Sequence, residues 1–142
     1  MDFVLTTFLV GLCFNLNRLT EALKVVEDVV RLGLEDRRLL ARVRALRTKA
    51  GRETRMVRRE VITSRQSKSD LGRSDRFDRT RRRSLEDVLL ANFKRAEEAS
   101  RVLEEVLKIE EPRLAARCKE VRFRLYDLEK EAVKAVEDRS RQ

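Results

Sequence analysis

The feature that most constrains this chain is that it repeats itself. Asn15-Leu-Asn-Arg-Leu-Thr-Glu-Ala-Leu-Lys-Val-Val-Glu-Asp-Val-Val30 aligns without gaps on Asn92-Phe-Lys-Arg-Ala-Glu-Glu-Ala-Ser-Arg-Val-Leu-Glu-Glu-Val-Leu107. Identities fall at Asn15/Asn92, Arg18/Arg95, Glu21/Glu98, Ala22/Ala99, Val25/Val102, Glu27/Glu104 and Val29/Val106. Arg38–Arg47 then matches Arg113–Arg122, once a two-residue slip is allowed in the intervening loop. Each unit reads as helix, short turn, helix. The first turn carries Gly33 and Glu35-Asp36, and the second carries Pro112, which suits a helix start. A single amphipathic hairpin cannot bury its apolar face, so the copies must cover one another. The expected fold is all-α: duplicated helical hairpins forming a four-helix bundle with pseudo-twofold symmetry and a long basic connector. Hairpin 1 covers about residues 3–60, the connector about 61–84 and hairpin 2 about 85–138, within a single helical domain of residues 1–142. Only 5% of residues are aromatic, and four Gly and one Pro leave few turn-formers, which disfavours a sheet.

Charge is concentrated in the end of hairpin 1 and the connector that follows it. Residues 51–84 hold twelve Arg/Lys against five acids, an excess of seven within a total of +9. Any anion-seeking surface should centre there. Within this stretch, Arg52 to Glu60 is expected to extend the second helix, Val61 to Ser64 to be extended, and Ser67 to Asp78 to be loop. So long an irregular segment in a compact domain is usually functional or disordered. Cys13 and Cys118 sit in apolar helical surroundings with no CxxC or Cys/His cluster, and read as small buried hydrophobes in a reducing compartment. The apolar start lacks an n-region cation and a small-residue cleavage site, and it is too short to span a bilayer. It reads as buried helix in a soluble, cytoplasmic protein with no membrane association.

Projecting the first helix at about 100° per residue sets an unusual pair inside its apolar arc. Leu16, Leu19, Leu23, Val26 and Val30 lie on one side of Asn15, and Ala22, Val25 and Val29 lie on the other. Asn15 and Arg18 fall within the arc, and Glu21 borders it. The equivalent helix repeats this with Asn92, Arg95 and Glu98. A buried Arg demands a carboxylate or phosphate partner. Two arrangements satisfy it: a structural network with Glu21 or Glu98, or a polar cleft lined by both Asn and both Arg. Duplication copies either one. Arg47 and Arg122 are a further equivalent pair. Arg122, Tyr126 and Glu129 form a stripe that suits either a surface ion-pair row or a site.

Four segments together resemble a known family. Asn15-Leu-Asn-Arg…Glu-Ala-Leu-Lys-Val-Val-Glu-Asp, Ala91-Asn-Phe-Lys-Arg…Glu-Glu-Ala-Ser-Arg-Val-Leu-Glu-Glu and Arg122-Phe-Arg-Leu-Tyr-Asp-Leu-Glu are three of them. Ser64-Arg-Gln-Ser-Lys-Ser-Asp-Leu-Gly72 is the fourth. They are similar to the helical domain often fused ahead of thiamin-phosphate synthase, over about residues 14–131. The resemblance implies a hydroxymethylpyrimidine phosphate kinase that transfers the γ-phosphoryl group of ATP onto the existing monophosphate. ATP and Mg²⁺ are then the expected cofactors, with a functional link to the synthase. Cys13-Phe14 stands where the family pattern has Asp-Ala, and Gln66 where it has Asp after Arg65. A metal ligand is therefore expected at Asp70 or on a helix-borne Glu.

The chemistry asks for little beyond this set. No P-loop or protein-kinase signature is present. Phosphoryl transfer needs positioning, metal and charge neutralisation, and a phosphate acceptor is already ionised, so no strong base is required. Arg18 and Arg95 are the expected catalytic cations, with Arg47, Arg65, Arg73 and Arg122 binding phosphate. Asn15 and Asn92 offer amides to the aminopyrimidine edge, with Glu21 and Glu98 beside them. Asp70 is expected to hold Mg²⁺, although an Asx turn before Gly72 explains it equally. Two rivals remain. Arg79-Thr-Arg-Arg-Arg83 is an electrostatic footprint for nucleic acid, but only Phe77 is available for stacking and acids are interleaved, which makes nucleic acid the weaker partner. The other is a non-catalytic interaction or regulatory domain of thiamin synthesis. Homodimerisation is compatible with each.

Overall fold

The computed structural model describes residues 3–65, 68–74 and 80–142. Gln66 and Ser67 of the connector motif and residues 75–79, which include Phe77 and Arg79, lie outside the described residues. Helix α1 spans Phe3–Val29, α2 Arg37–Val61, α3 Leu85–Leu107 and α4 Pro112–Ser140. No strand occurs among the described residues, and no helix there is long and apolar enough to cross a membrane.

Local chemistry sets the helix ends. The Asp36 carboxylate accepts the Leu39 N–H at 2.9 Å and caps α2. Ser84 caps α3 by accepting the Asp87 N–H at 3.1 Å, while the Asp87 carboxylate accepts the Arg83 N–H at 2.8 Å. Pro112 opens α4, where its missing N–H costs nothing. The two-residue slip between the repeats has a structural form: Val30–Leu34 winds as a π turn, which absorbs the extra residues before α2. Glu35 then takes the left-handed conformation (φ 56°) that ends the turn. Gly33 has no positive φ. A side-chain carbon there would come within 3.2 Å of Leu85 Cδ1, so this glycine lets the turn approach α3. Where an extended stretch was expected at Val61–Ser64, α2 continues to Val61 and tightens into a 3₁₀ turn over Ile62–Ser64. Tightening of this kind satisfies carbonyls at a helix end. A second 3₁₀ turn covers Leu71–Ser74.

The helices pack as two antiparallel hairpins whose α1/α3 and α2/α4 contacts are antiparallel as well. The turn after α1 meets the start of α3 at Gly33 and Leu85, and Arg18 meets Glu98. On the other side Arg42 pairs with Glu131, Lys49 with Glu120 and Arg117 with Glu53. The core follows the repeat. Leu12, Leu16, Ala22, Val26 and Val30 are buried, as are their equivalents Leu89, Phe93, Ala99, Leu103 and Leu107. On the second helices Val43, Leu46 and Ala50 match Cys118, Val121 and Leu125. The pseudo-twofold axis therefore crosses the middle of the α1/α3 contact.

Candidate active site

A cleft of about 840 Å³ opens over the outer face of the α1/α3 contact. Its walls carry Arg18 and Glu21 from α1 and Asn92, Arg95 and Glu98 from α3. The connector adds Arg65 on one side and Thr80 and Arg82 on the other, and Phe14, Asn17 and Lys94 complete the polar and aromatic lining. Six residues expected at the site from sequence thus meet in one place: Arg18, Glu21, Arg65, Asn92, Arg95 and Glu98.

The projection had set Arg18 in the buried arc, but its side chain is half-exposed and reaches Glu98 at 3.4 Å. A long aliphatic stem lets an Arg leave an apolar arc and keep its guanidinium in water. The twofold operation carries the Arg18–Glu98 pair onto Arg95 and Glu21. Asn92 is buried at the cleft wall, with its amide donating to the Val88 carbonyl at 2.8 Å. Asn15 makes the same bond to Gly11 at 2.9 Å but does not line the cleft. Its amide braces the helix backbone one turn earlier.

Arg47 and Arg122 lie away from the cleft. Each partners the buried glutamate of its own hairpin: Arg47 Nε lies 2.5 Å from Glu27, and Arg122 Nη2 lies 2.8 Å from Glu104. Glu27 and Glu104 are themselves repeat equivalents, so duplication has copied a structural ion pair. Burial pushes the Glu104 carboxyl up, yet the hydrogen bond and charge of Arg122 outweigh it and hold the group below its ordinary value. Arg122 also donates to the Tyr126 hydroxyl at 3.1 Å and stacks over Phe123, with Phe123 and Tyr126 edge to face. Asp70 sits in an Asx turn, its carboxylate accepting the Gly72 N–H at 2.9 Å, and Arg73 follows on the same turn. Neither lines the cleft. Among the described residues no cluster of three or more His, Cys, Asp or Glu side chains is placed to hold a metal. Among the described residues, Glu21 and Glu98 are the carboxylates that line the cleft.

Sequence periodicity missed Glu97. It is buried on α3 against Glu129 of α4, and its Oε1 finds no hydrogen-bond partner among the described residues. Burial first, then the shared proton and the charge of Glu129, push its carboxyl from 4.5 up to about 8, with Lys94 pulling the other way. The repeat equivalents are Thr20 and Thr54, whose hydroxyls donate to Leu16 and Ala50 carbonyls, so only comparison of the two copies could have revealed the carboxyl pair. A raised pKa means the native chain keeps a proton that the unfolded chain has lost between pH 4.5 and about 8. Stability should accordingly fall as pH rises through that window, and Glu97→Gln should flatten the dependence and stabilise the protein at pH 8.5. Urea midpoints at pH 5 and 8.5 check this. A variant that follows the parent at both pH values rules it out.

The Cys13 and Cys118 side chains are buried free thiols. Burial, aided by Glu104 and Glu53, pushes Cys118 up to about 12, which leaves it no thiolate for chemistry near neutrality.

Comparison with known proteins gives a family. The ThiD2 family model matches residues 12–131. Curated relatives named thiamine-phosphate synthase include one from Gloeobacter violaceus, 41% identical over 83% of this chain and 34% of the relative. One from a Synechococcus species is 40% identical and one from Nostoc punctiforme 35%, each over 81% of this chain and 32% of the relative. The chain thus spans about a third of the length of these relatives. No solved structure matches.

Proposed function

Because the chain belongs to the ThiD2 family, we propose that it works in thiamin biosynthesis as an ATP-dependent kinase of hydroxymethylpyrimidine monophosphate. The observation that carries this reading is the convergence of Arg18, Arg95, Arg65 and Asn92 in one cleft astride the pseudo-twofold axis. In the proposed reaction an ionised oxygen of the monophosphate attacks the γ-phosphorus of ATP. The bond from that phosphorus to the bridging oxygen breaks, and ADP leaves with the electron pair. No proton need be removed, which agrees with a site that has no His.

What the protein supplies is position and positive charge. Arg18 is held by Glu98 through a pair that is more than half exposed, so its guanidinium is oriented yet open to a phosphate. Arg95 stands across the axis from it. The amide of Asn92 is fixed by its backbone bond, which leaves its oxygen to accept from an exocyclic amine. Glu21 and Glu98 fit a Mg²⁺ that arrives on the nucleotide, since this ion takes one or two carboxylates together with phosphate oxygens. When bound, it would neutralise polyphosphate charge. The test is direct incubation of the protein with ATP, Mg²⁺ and hydroxymethylpyrimidine monophosphate, followed by chromatography. Pyrimidine diphosphate and ADP in equal amounts are expected, and the absence of both overturns the reading.

A further inference from the structure

The cleft is built on a twofold axis, yet a kinase must bind two unlike ligands in it, so the departures from symmetry carry the information. Phe14 is equivalent to Ala91 and Asn17 to Lys94. With Arg18 opposite Glu98 in antiparallel helices, Lys94 falls opposite Ala22. That sets it two helical turns from Phe14, roughly 12 Å along the axis at about 1.5 Å per residue. Among the described residues, one end of the cleft therefore has an aromatic ring, and the other has an ammonium group and no ring.

The connector sharpens the difference. Arg65 leaves the 3₁₀ turn after α2, which packs against α1, and Arg82 sits on the segment that leads into the cap of α3. Lys94, Arg82 and Arg95 thus gather toward the α3 N-terminal end, whereas Phe14 shares its end with Arg18 and Arg65. A nucleoside triphosphate carries far more phosphate charge than a monophosphate and matches the end with three cations. A heteroaromatic ring bearing one phosphate matches a π-face with two cations.

We propose that Phe14 is the stacking platform for the acceptor's pyrimidine ring, and that Lys94 with Arg82 receives the polyphosphate of the donor at the opposite end. This orientation rests on the kinase reading above. It defines Phe14, which stands where the family pattern has Ala, as a ring-binding residue for the acceptor that is this chain's own departure from that pattern.

The test is isothermal titration of the full chain with two probes separately: hydroxymethylpyrimidine monophosphate, and a non-hydrolysable ATP analogue with Mg²⁺. Loss of one base–aromatic stack costs roughly tenfold or more in affinity. Phe14→Ala should weaken the pyrimidine probe by about that factor and leave the ATP analogue within about twofold, and Phe14→Tyr should restore the pyrimidine affinity. Lys94→Ala should do the reverse. If Phe14→Ala weakens the ATP analogue instead, the orientation is inverted and the proposal is overturned. It is equally overturned if Phe14→Leu binds the pyrimidine as the parent does, because Phe14 would then be filling space. Binding without turnover would refute the kinase reading and leave the stacking result standing. Binding of neither probe by the parent protein would refute both.

Discussion

Replacing Arg95 with alanine should lower kcat/KM for pyrimidine diphosphate formation roughly a hundredfold to a thousandfold, the range seen when one preorganised charge stabiliser is removed. Helicity and Tm should stay close to the parent. Arg95 lies on the cleft face of α3, outside the buried core, and alanine is the better helix former. Arg95→Lys should recover only a small part of the rate, since a point charge cannot span two phosphate oxygens as a guanidinium does. Steady-state assays with each substrate varied, run beside far-UV circular dichroism, read both quantities. Unfolding of Arg95→Ala would mean that the side chain holds the bundle together. Full activity in a folded variant would move the chemistry elsewhere.

The repeat made most of this fold legible. Seven identities at a fixed offset implied the hairpins, and the matching apolar positions implied that the copies face each other. The cleft was legible in part. Arg18 and Arg95 stood out because a guanidinium inside an apolar arc is costly, but helical projection assigns an angle to a Cα and says nothing of where a long side chain ends. That is why Arg18 was expected inside and lies half-exposed. Arg47 and Arg122 show the converse. Their guanidinium groups suit phosphate and their equivalence suggests a shared role, yet what the duplication preserves is their pairing with Glu27 and Glu104. Asp70 could be read two ways from its spacing to Gly72, and the hydrogen bond to that residue is the Asx turn. Glu97 was hidden because its equivalent is a threonine, so no repeated pattern flagged it.

The duplicated ion pair also sets the largest expected loss of stability. Glu104 and Arg122 are both withdrawn from water, with side chains 5% and 12% exposed. Glu27 is equally buried, but its partners Arg44 and Arg47 are 50% and 40% exposed. Removing one member of a buried pair strands the other, at a cost of about 3–5 kcal/mol. Glu104→Gln should therefore destabilise by several kcal/mol, because Arg122, with only 12% of its side chain exposed, loses the carboxylate that balances its charge. Glu27→Gln should cost about 1 kcal/mol, since Arg44 and Arg47 can turn outward to water. The Glu104 carboxyl titrates below its ordinary value, so its contribution is present at neutral pH and lost as pH falls through that lowered pKa. The gap between parent and Glu104→Gln should close in acid. Urea unfolding at pH 7 and pH 3 measures both effects. Replacing the pair together, as Glu104→Leu with Arg122→Met, should recover most of the loss, because an apolar pair of similar volume carries no desolvation cost. If the double variant is as unstable as Glu104→Gln alone, then Arg122 stabilises α4 through Tyr126 and Phe123, and the carboxylate is secondary.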